Sequence, residues 1–516
     1  MLSRLRHVLF LAAALLALSS CSSDDVSSND TTIPSSRVTQ AVAQLDDIVD
    51  DVMTRSGIPG LAVAVVHQGK TIYAKGFGVR QLGQPAPIDA HTVFQLASIS
   101  KPVGATVVAA QVGKELVAWD TPIVQHLPWF SLQDPTATAQ VTVGDLYAHR
   151  SGLPDHAGDE LEELGYDRRQ ILERLHLLST EPLRSTYAYT NFGLTAAAQA
   201  VAVANDTDWE SLSDQALYRP LGMNDTSSRY ADFMARTNRA FPHIRINGVF
   251  QTGSQRQPDA QSPAGGVSSS VTDMAEWMKL ILHEGKYKGQ TFIPRTALVP
   301  ALSPQILSSP GSEGRPAGYY GYGFNVSTSA AGHKTLSHSG AFLMGAGTTV
   351  SLLPAADTGI IVLTNALPVG AAEAISMTYM DLVQSGHATR DWLETFEAVF
   401  APMLAPRGKL AGRPFPEHPV PPLALHAYVG NYANAFYGNA RVEDRDGKLV
   451  LIMGPAEQTM VLQHWGGNVF VFEPEGELVA PGSRSAVTFA MGSGGTAQSV
   501  TIEVFDDYGL GTLTRG

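Results

Sequence analysis

Apolar residues recur at helical spacing at Val38, Ala41, Val42, Leu45, Ile48, Val49 and Val52. This pattern predicts one amphipathic helix, stopped near Gly57 and Pro59. Leu61 to Val66 is an unbroken apolar run and reads as a buried strand. Gln68-Gly69 then supplies a turn, and the alternating Lys70 to Gly78 completes a predicted β-hairpin. A second amphipathic helix is expected from a cap at Thr272 through Met274, Trp277, Met278, Ile281 and Leu282 to Gly285. Thr348 to Leu353 and Gly359 to Thr364 read as strands joined by a turn at Pro354 and Asp357. Strands at both ends of this segment, with helices between, predict an α+β architecture.

The pattern changes at 401–422. Seven prolines between Pro402 and Pro422 forbid regular hydrogen bonding and predict an extended connector. Beyond it, Lys448 to Met453, Val469 to Phe472 and Thr501 to Phe505 are short strand-like runs divided by turn residues, with a hairpin tip at Gly492 to Gly495. Residues 423–516 therefore read as a small all-β module.

The front of the chain follows another rule. Arg4 and Arg6 precede an apolar run of eleven residues, Val8 to Leu18. A bilayer-spanning helix needs ~20 such residues, so the run reads as a signal peptide, 1–20. Leu18-Ser19-Ser20-Cys21 resembles the bacterial lipobox, in which cleavage leaves the cysteine N-terminal and lipid-modified. Residues 21–37 are polar and read as a flexible tether. Serine rather than aspartate after Cys21 resembles lipoproteins sorted to the outer membrane. The expected location is thus an exported lipoprotein on the outer membrane, facing the periplasm.

Composition narrows the chemistry. The 516-residue chain carries 48 acidic and 35 basic side chains, a net charge of −13, which argues against a general nucleic-acid binder. Cys21 is the only cysteine. Internal disulfides and thiolate-rich zinc sites are thereby excluded. No Gly-x-Ser-x-Gly, His-Glu-x-x-His or Walker-type loop is present.

One short motif has chemical logic. In Ser98-Ile99-Ser100-Lys101, the lysine follows the serine by one helical turn, ahead of the apolar run Val103 to Val112. A serine hydroxyl needs a base to become a nucleophile. A desolvated lysine can be that base, and a helix N-terminus favours developing negative charge. Tyr189-Thr190-Asn191 follows, and then His338-Ser339-Gly340, which opens a strand-like run from Ala341 to Leu353.

The three motifs, in this order, resemble the serine β-lactamase and penicillin-binding family. The class C-like branch, with its family VIII esterases and D-stereospecific peptidases, is the nearest. Phe94 to Ala97, His149-Arg150-Ser151-Gly152-Leu153-Pro154, Ala264-Gly265-Gly266-Val267 and Tyr320-Gly321-Tyr322-Gly323-Phe324 fit the same branch. The resemblance covers roughly residues 38–390. It implies a β-lactamase-like α+β domain, an antiparallel sheet flanked by helices plus an all-helical region, at 38–400. Tyr428-Val429-Gly430-Asn431-Tyr432 resembles the start of the lipocalin-like β domain appended to some peptidases of this family, here a barrel-like module at 423–516.

Carried over by motif, Ser98 is the acylated nucleophile, Lys101 its activator and Tyr189 a phenolate or proton shuttle. Asn191 binds the substrate amide or holds Lys101. The backbone N–H groups of Ser98 and Ala341 form the oxyanion hole, and His338, Ser339 and Gly340 line the substrate. No metal or organic cofactor is implied. The expected partners are a small-molecule or short-peptide substrate and, through Cys21, a membrane. Class C β-lactamases carry Lys-Thr-Gly at the third motif, where this chain has His338-Ser339-Gly340. The motif thus resembles the esterase and peptidase members instead. Lys334 lies ~13 Å away along an extended strand and is not an obvious substitute. Carboxylate recognition would then fall to Arg256 or Arg315. The acid-rich stretch Asp155 to Arg169 reads as a solvated segment near the cleft, or as a wall selecting amine-bearing substrates. The expected activity is hydrolysis of short peptides or amides, D-configured ones included, or of small esters. Rival readings are a true β-lactamase and a non-catalytic peptidoglycan-binding protein.

Overall fold

The structure is a computed structural model that describes residues 33–312 and 316–516. Cys21 and Arg315 lie outside the described residues. The first amphipathic segment folds as two helices, Ser35–Val42 and Leu45–Ser56, rather than one. Regular structure therefore begins three residues before the end of the expected tether. Gly57 closes the second helix in the left-handed region at φ 71°, a conformation that costs glycine little.

Eight antiparallel strands form the larger domain's sheet. Their spatial order is Lys70–Gly78, Gly60–His67, Thr358–Thr364, Ala346–Leu353, Lys334–Phe342, Asn325–Thr328, Gly318–Tyr320 and Ile306–Ser309. The apolar run of Gly60–His67 is explained by burial on both faces. Ala62, Ala64 and Val66 enter one core, while Leu61, Val63 and Val65 enter the other. The second core is closed by the two N-terminal helices with Ala371–Ser385 and Trp392–Phe400. The first core holds helices Ser100–Gly113, Asn191–Ala204 and Val271–Leu282.

Two local expectations are corrected. Val271–Leu282 is capped by Ser270, whose Oγ accepts from the Asp273 amide at 3.3 Å. Thr272 instead donates its hydroxyl to the Ala90 carbonyl at 2.7 Å. The run beginning at His338 is not one strand to Leu353. It folds back at 343–345, so that Lys334–Phe342 pairs with Ala346–Leu353. Gly345, at φ 122°, occupies the turn.

Residues 401–424 contain no helix or strand. They run along the C-terminal module, where Arg407 accepts from the Arg484 amide and Val420 from the Gly467 amide. That module is a nine-stranded antiparallel sheet ordered 458–461, 448–453, 438–445, 430–434, 512–515, 497–502, 485–491, 469–472 and 463–466. Its two edge strands are consecutive in sequence, which leaves a nearly closed barrel. The module sits on the acid-rich segment of the larger domain. The Tyr166 hydroxyl donates to the Tyr437 carbonyl at 2.8 Å, and the Tyr508 hydroxyl to the Asp155 carbonyl at 3.0 Å.

Candidate active site

Ser98 lies in the 3-10 turn Ala97–Ile99, directly before helix Ser100–Gly113. Ala97 has φ +48°. His149 and His156, at φ +55° and +59°, are strained in the same way and flank the same site. Left-handed backbone at non-glycine residues costs ~1–3 kcal/mol and persists where packing over-determines it.

Lys101 is fully buried beneath Ser98. Its Nζ lies 3.1 Å from Ser98 Oγ, 2.7 Å from Asn191 Oδ1 and 3.0 Å from the Ala264 carbonyl. A neutral amine has two hydrogens and one lone pair. The amide and carbonyl oxygens take the two hydrogens, and the lone pair is left facing the serine hydroxyl. Burial pushes this lysine down to about 7, against the attraction of Asp159. The neutral form is therefore well populated near neutral pH.

Asn191 is held in register by Asp159, whose Oδ2 accepts from Asn191 Nδ2 at 2.9 Å and from His156 Nδ1 at 2.7 Å. Tyr189 reaches Ser98 with its hydroxyl, and its ring centroid is 4.4 Å from Lys101 Nζ. Burial raises the phenol far above its ordinary range, so its proton is retained at neutral pH. His149 Nδ1 accepts from the Thr190 amide at 3.2 Å, and its ring packs 4.5 Å from that of Tyr189. Burial keeps this imidazole neutral.

His338 faces the same pocket from the strand Lys334–Phe342. Its Nδ1–H donates to the Ser339 carbonyl at 2.7 Å, and its Nε2 accepts from the Tyr320 hydroxyl at 2.9 Å. Burial, with Lys101 close by, pushes it down to about 3. No positive charge stands at the third motif. Ser339 alternates to the opposite face, bonding Thr349 Oγ1 at 3.1 Å and the buried carboxyl of Glu373. Gly340 permits the closest approach in the site. A Cβ there would lie 2.2 Å from the Leu96 carbonyl, 2.4 Å from Thr348 Oγ1 and 3.0 Å from the Ser98 amide. Its absence brings the backbone at Gly340 and Ala341 alongside Ser98.

These groups open on a cleft of about 400 Å³, lined also by Asp159, Glu160, Glu163, Arg256, Glu477 and Leu478. Glu477 and Leu478 come from the C-terminal module. Arg256 is not free to recognise a carboxylate. Its guanidinium bonds Glu162 at 2.5 Å and Glu163 at 2.9 Å, with Glu477 at 3.7 Å. Burial raises both Glu162 and Glu477 to about 7 despite that cation. Among the described residues no group of His, Cys, Asp and Glu is arranged to hold a metal ion.

Sequence reasoning missed Asp159, Glu373 and Glu477, and it missed the Tyr320 hydroxyl. The branch signature around Tyr320 and Ala264 was the only signal pointing to two of the contacts, Tyr320 to His338 and Ala264 to Lys101.

The family described as Beta-lactamase matches residues 45–383, and a domain of unknown function, DUF3471, matches 415–511. The chain belongs to the β-lactamase family. An unguisins hydrolase of Aspergillus violaceofuscus is 24% identical over 493 residues, 86% of this chain and 85% of that protein. Esterase EstB of Burkholderia gladioli is 30% identical over 201 residues, 36% of this chain and 50% of the esterase. Among solved structures, the octameric penicillin-binding protein homologue from Pyrococcus abyssi superimposes with a TM-score of 0.59 at 17% identity, over 92% of this chain and all of that one. The fold is thus β-lactamase-like, followed by a barrel-like antiparallel sheet, and the relatives include named hydrolases and esterases.

Proposed function

We propose that the chain is a serine hydrolase that forms an acyl-enzyme on Ser98 and releases it to water. The observation that carries this reading is the fully buried Lys101 Nζ 3.1 Å from Ser98 Oγ. Ser98 Oγ attacks the substrate carbonyl carbon while its proton passes to Lys101 Nζ. The oxyanion is received by the backbone N–H groups of Ser98 and Ala341, and such donors are worth ~3–4 kcal/mol each. Tyr189, bonded to Ser98 and close to Lys101, relays the proton to the leaving group. In the second half, water attacks the acyl carbon, the same groups remove its proton, and Ser98 leaves with its hydroxyl restored.

The substrates are short peptides or amides, D-configured ones among them, or small carboxylic esters. The relatives named as a hydrolase and an esterase support a hydrolytic reaction. A carboxylate-bearing β-lactam is disfavoured, because His338 is neutral and Arg256 is committed to glutamates. We also propose that the mature protein is anchored by lipid at Cys21 on the outer membrane, facing the periplasm.

The test is hydrolysis of a p-nitrophenyl short-chain ester, D-amino-acid peptides and a cephalosporin by the wild type and Ser98→Ala. Turnover of the ester or a peptide should fall more than ~1,000-fold in the variant. Retained turnover would remove Ser98 from the mechanism. Preferential turnover of the cephalosporin would restore the β-lactamase reading.

A further inference from the structure

A second depression, of about 890 Å³, lies away from the cleft. Helix Val271–Leu282, the hairpin Lys286–Thr291, the turn at Gly69 and the start of the strand at Lys334 frame it. The chain is acidic overall, yet this surface is not. Each carboxylate facing it already has a base. Glu276 holds Lys279 at 2.5 Å, and Glu284 holds Arg295. Lys286, Lys288 and Lys334 have no carboxylate within ion-pair distance among the described residues. All three are exposed. Glu276 and Glu284 line the depression together with Lys279, Lys286, Lys288, Arg295 and Lys334, so this surface carries an excess of positive charge even though Glu276 acts on Lys288 and Glu284 on Lys334.

The position of the N-terminus gives this surface a direction. The side chain of Gln68 donates to Ser35 Oγ at 3.1 Å, and its neighbour Gly69 lines the depression. The chain coming from Cys21 therefore enters the fold beside the lysines. Twelve peptide units join Cys21 to Ile33 and reach at most ~40 Å. A tether of that length holds the enzyme near a bilayer without choosing which side faces it. The choice falls to charge, since basic groups are drawn to an anionic surface within about a Debye length. In the nearby helix Leu45–Ser56, Asp46 is bonded to Tyr73 and Lys75 farther along the hairpin.

We propose that the depression bearing Lys286, Lys288 and Lys334 is the face by which the enzyme rests on anionic phospholipid headgroups. The proposal rests on the lipid anchor at Cys21 and is independent of the hydrolytic reading. Docked this way, the protein is held in one orientation on the bilayer.

The experiment uses the processed full chain in vesicles of phosphatidylcholine alone or with phosphatidylglycerol. Lysine reactivity is read by acetylation and peptide mass spectrometry. Lys286, Lys288 and Lys334 should react about fivefold more slowly on the anionic vesicles, and ~0.5 M salt should abolish the difference. The combined Lys286→Glu, Lys288→Glu and Lys334→Glu variant should stay with both kinds of vesicle. In it, other lysines near the tether exit, such as Lys70, should lose any protection specific to the anionic lipid. Equal reactivity on both vesicles would overturn the docking face. Protection by inorganic phosphate on neutral vesicles, with no effect of the anionic lipid, would overturn it in favour of a free-phosphate site. Failure to float with neutral vesicles would deny the anchor, and the proposal with it.

Discussion

The Tyr320 hydroxyl donates to Nε2 of His338 at 2.9 Å, while Nδ1–H of the same ring donates to the Ser339 carbonyl at 2.7 Å. Both ring nitrogens are therefore satisfied by a neutral imidazole. A proton on Nε2 would lose the bond from Tyr320 and place a cation near Lys101. His338→Lys should consequently destabilise the fold by about 3 kcal/mol, the scale of an uncompensated buried charge. It should also move the basic group of the site to lower pH, because a neighbouring like charge disfavours protonated Lys101. Urea unfolding and the pH profile of ester hydrolysis measure the two effects.

The acylation rate should follow the neutral fraction of Lys101. Burial depresses its folded value to about 7, so kcat/KM should rise with pH through about 7 and then level. Asp159→Asn removes the charge that favours the ammonium form, and the rising limb should shift to lower pH. A limb that stayed in place would mean that another group supplies the base.

Gly340→Val tests the close approach beside Ser98. The added Cβ meets backbone at Leu96 and the Ser98 amide, which cannot rotate away as a side-chain end could. The strand must shift, and a displacement of ~1 Å at a reacting centre costs about 100-fold in rate. Activity should fall by that order, while circular dichroism shows the fold retained.

The Arg256 cluster should make stability depend on pH. Glu162 and Glu477 are raised to about 7 when folded, mainly by burial. Between their ordinary range and about 7, the folded state binds more protons than the unfolded state. Stability is therefore greatest below that window and declines as pH rises through it. Glu477→Gln should reduce this decline by removing one of the two titrating carboxyls. Thermal melts between pH 5 and 8 give the comparison.

The local geometry of the candidate site was legible in the chain. Ser98 and Lys101 are one turn apart, so helix geometry alone places them together, and Tyr189 and Asn191 follow from the family resemblance. The strand pair at 60–78 and the Pro-rich break were equally plain, because burial on two faces and loss of backbone donors leave direct compositional marks. What escaped depends on contacts without a local pattern. Asp159 sits in a stretch whose acidity suggests solvent, yet its carboxylate is turned inward onto Asn191 and His156. Glu477 reaches Arg256 across the domain boundary, and no spacing rule relates the two. The cap at Ser270 was obscured by a second hydroxyl at Thr272, whose partner, the Ala90 carbonyl, is distant in sequence.

The most direct test of the central claim is to mix the protein with a p-nitrophenyl ester, quench in acid and locate the acyl group by peptide mass spectrometry. The added acyl mass should appear on Ser98, form faster as pH rises through about 7 and be absent in Lys101→Ala. An adduct on another residue, or hydrolysis by Ser98→Ala at the wild-type rate, would contradict that claim.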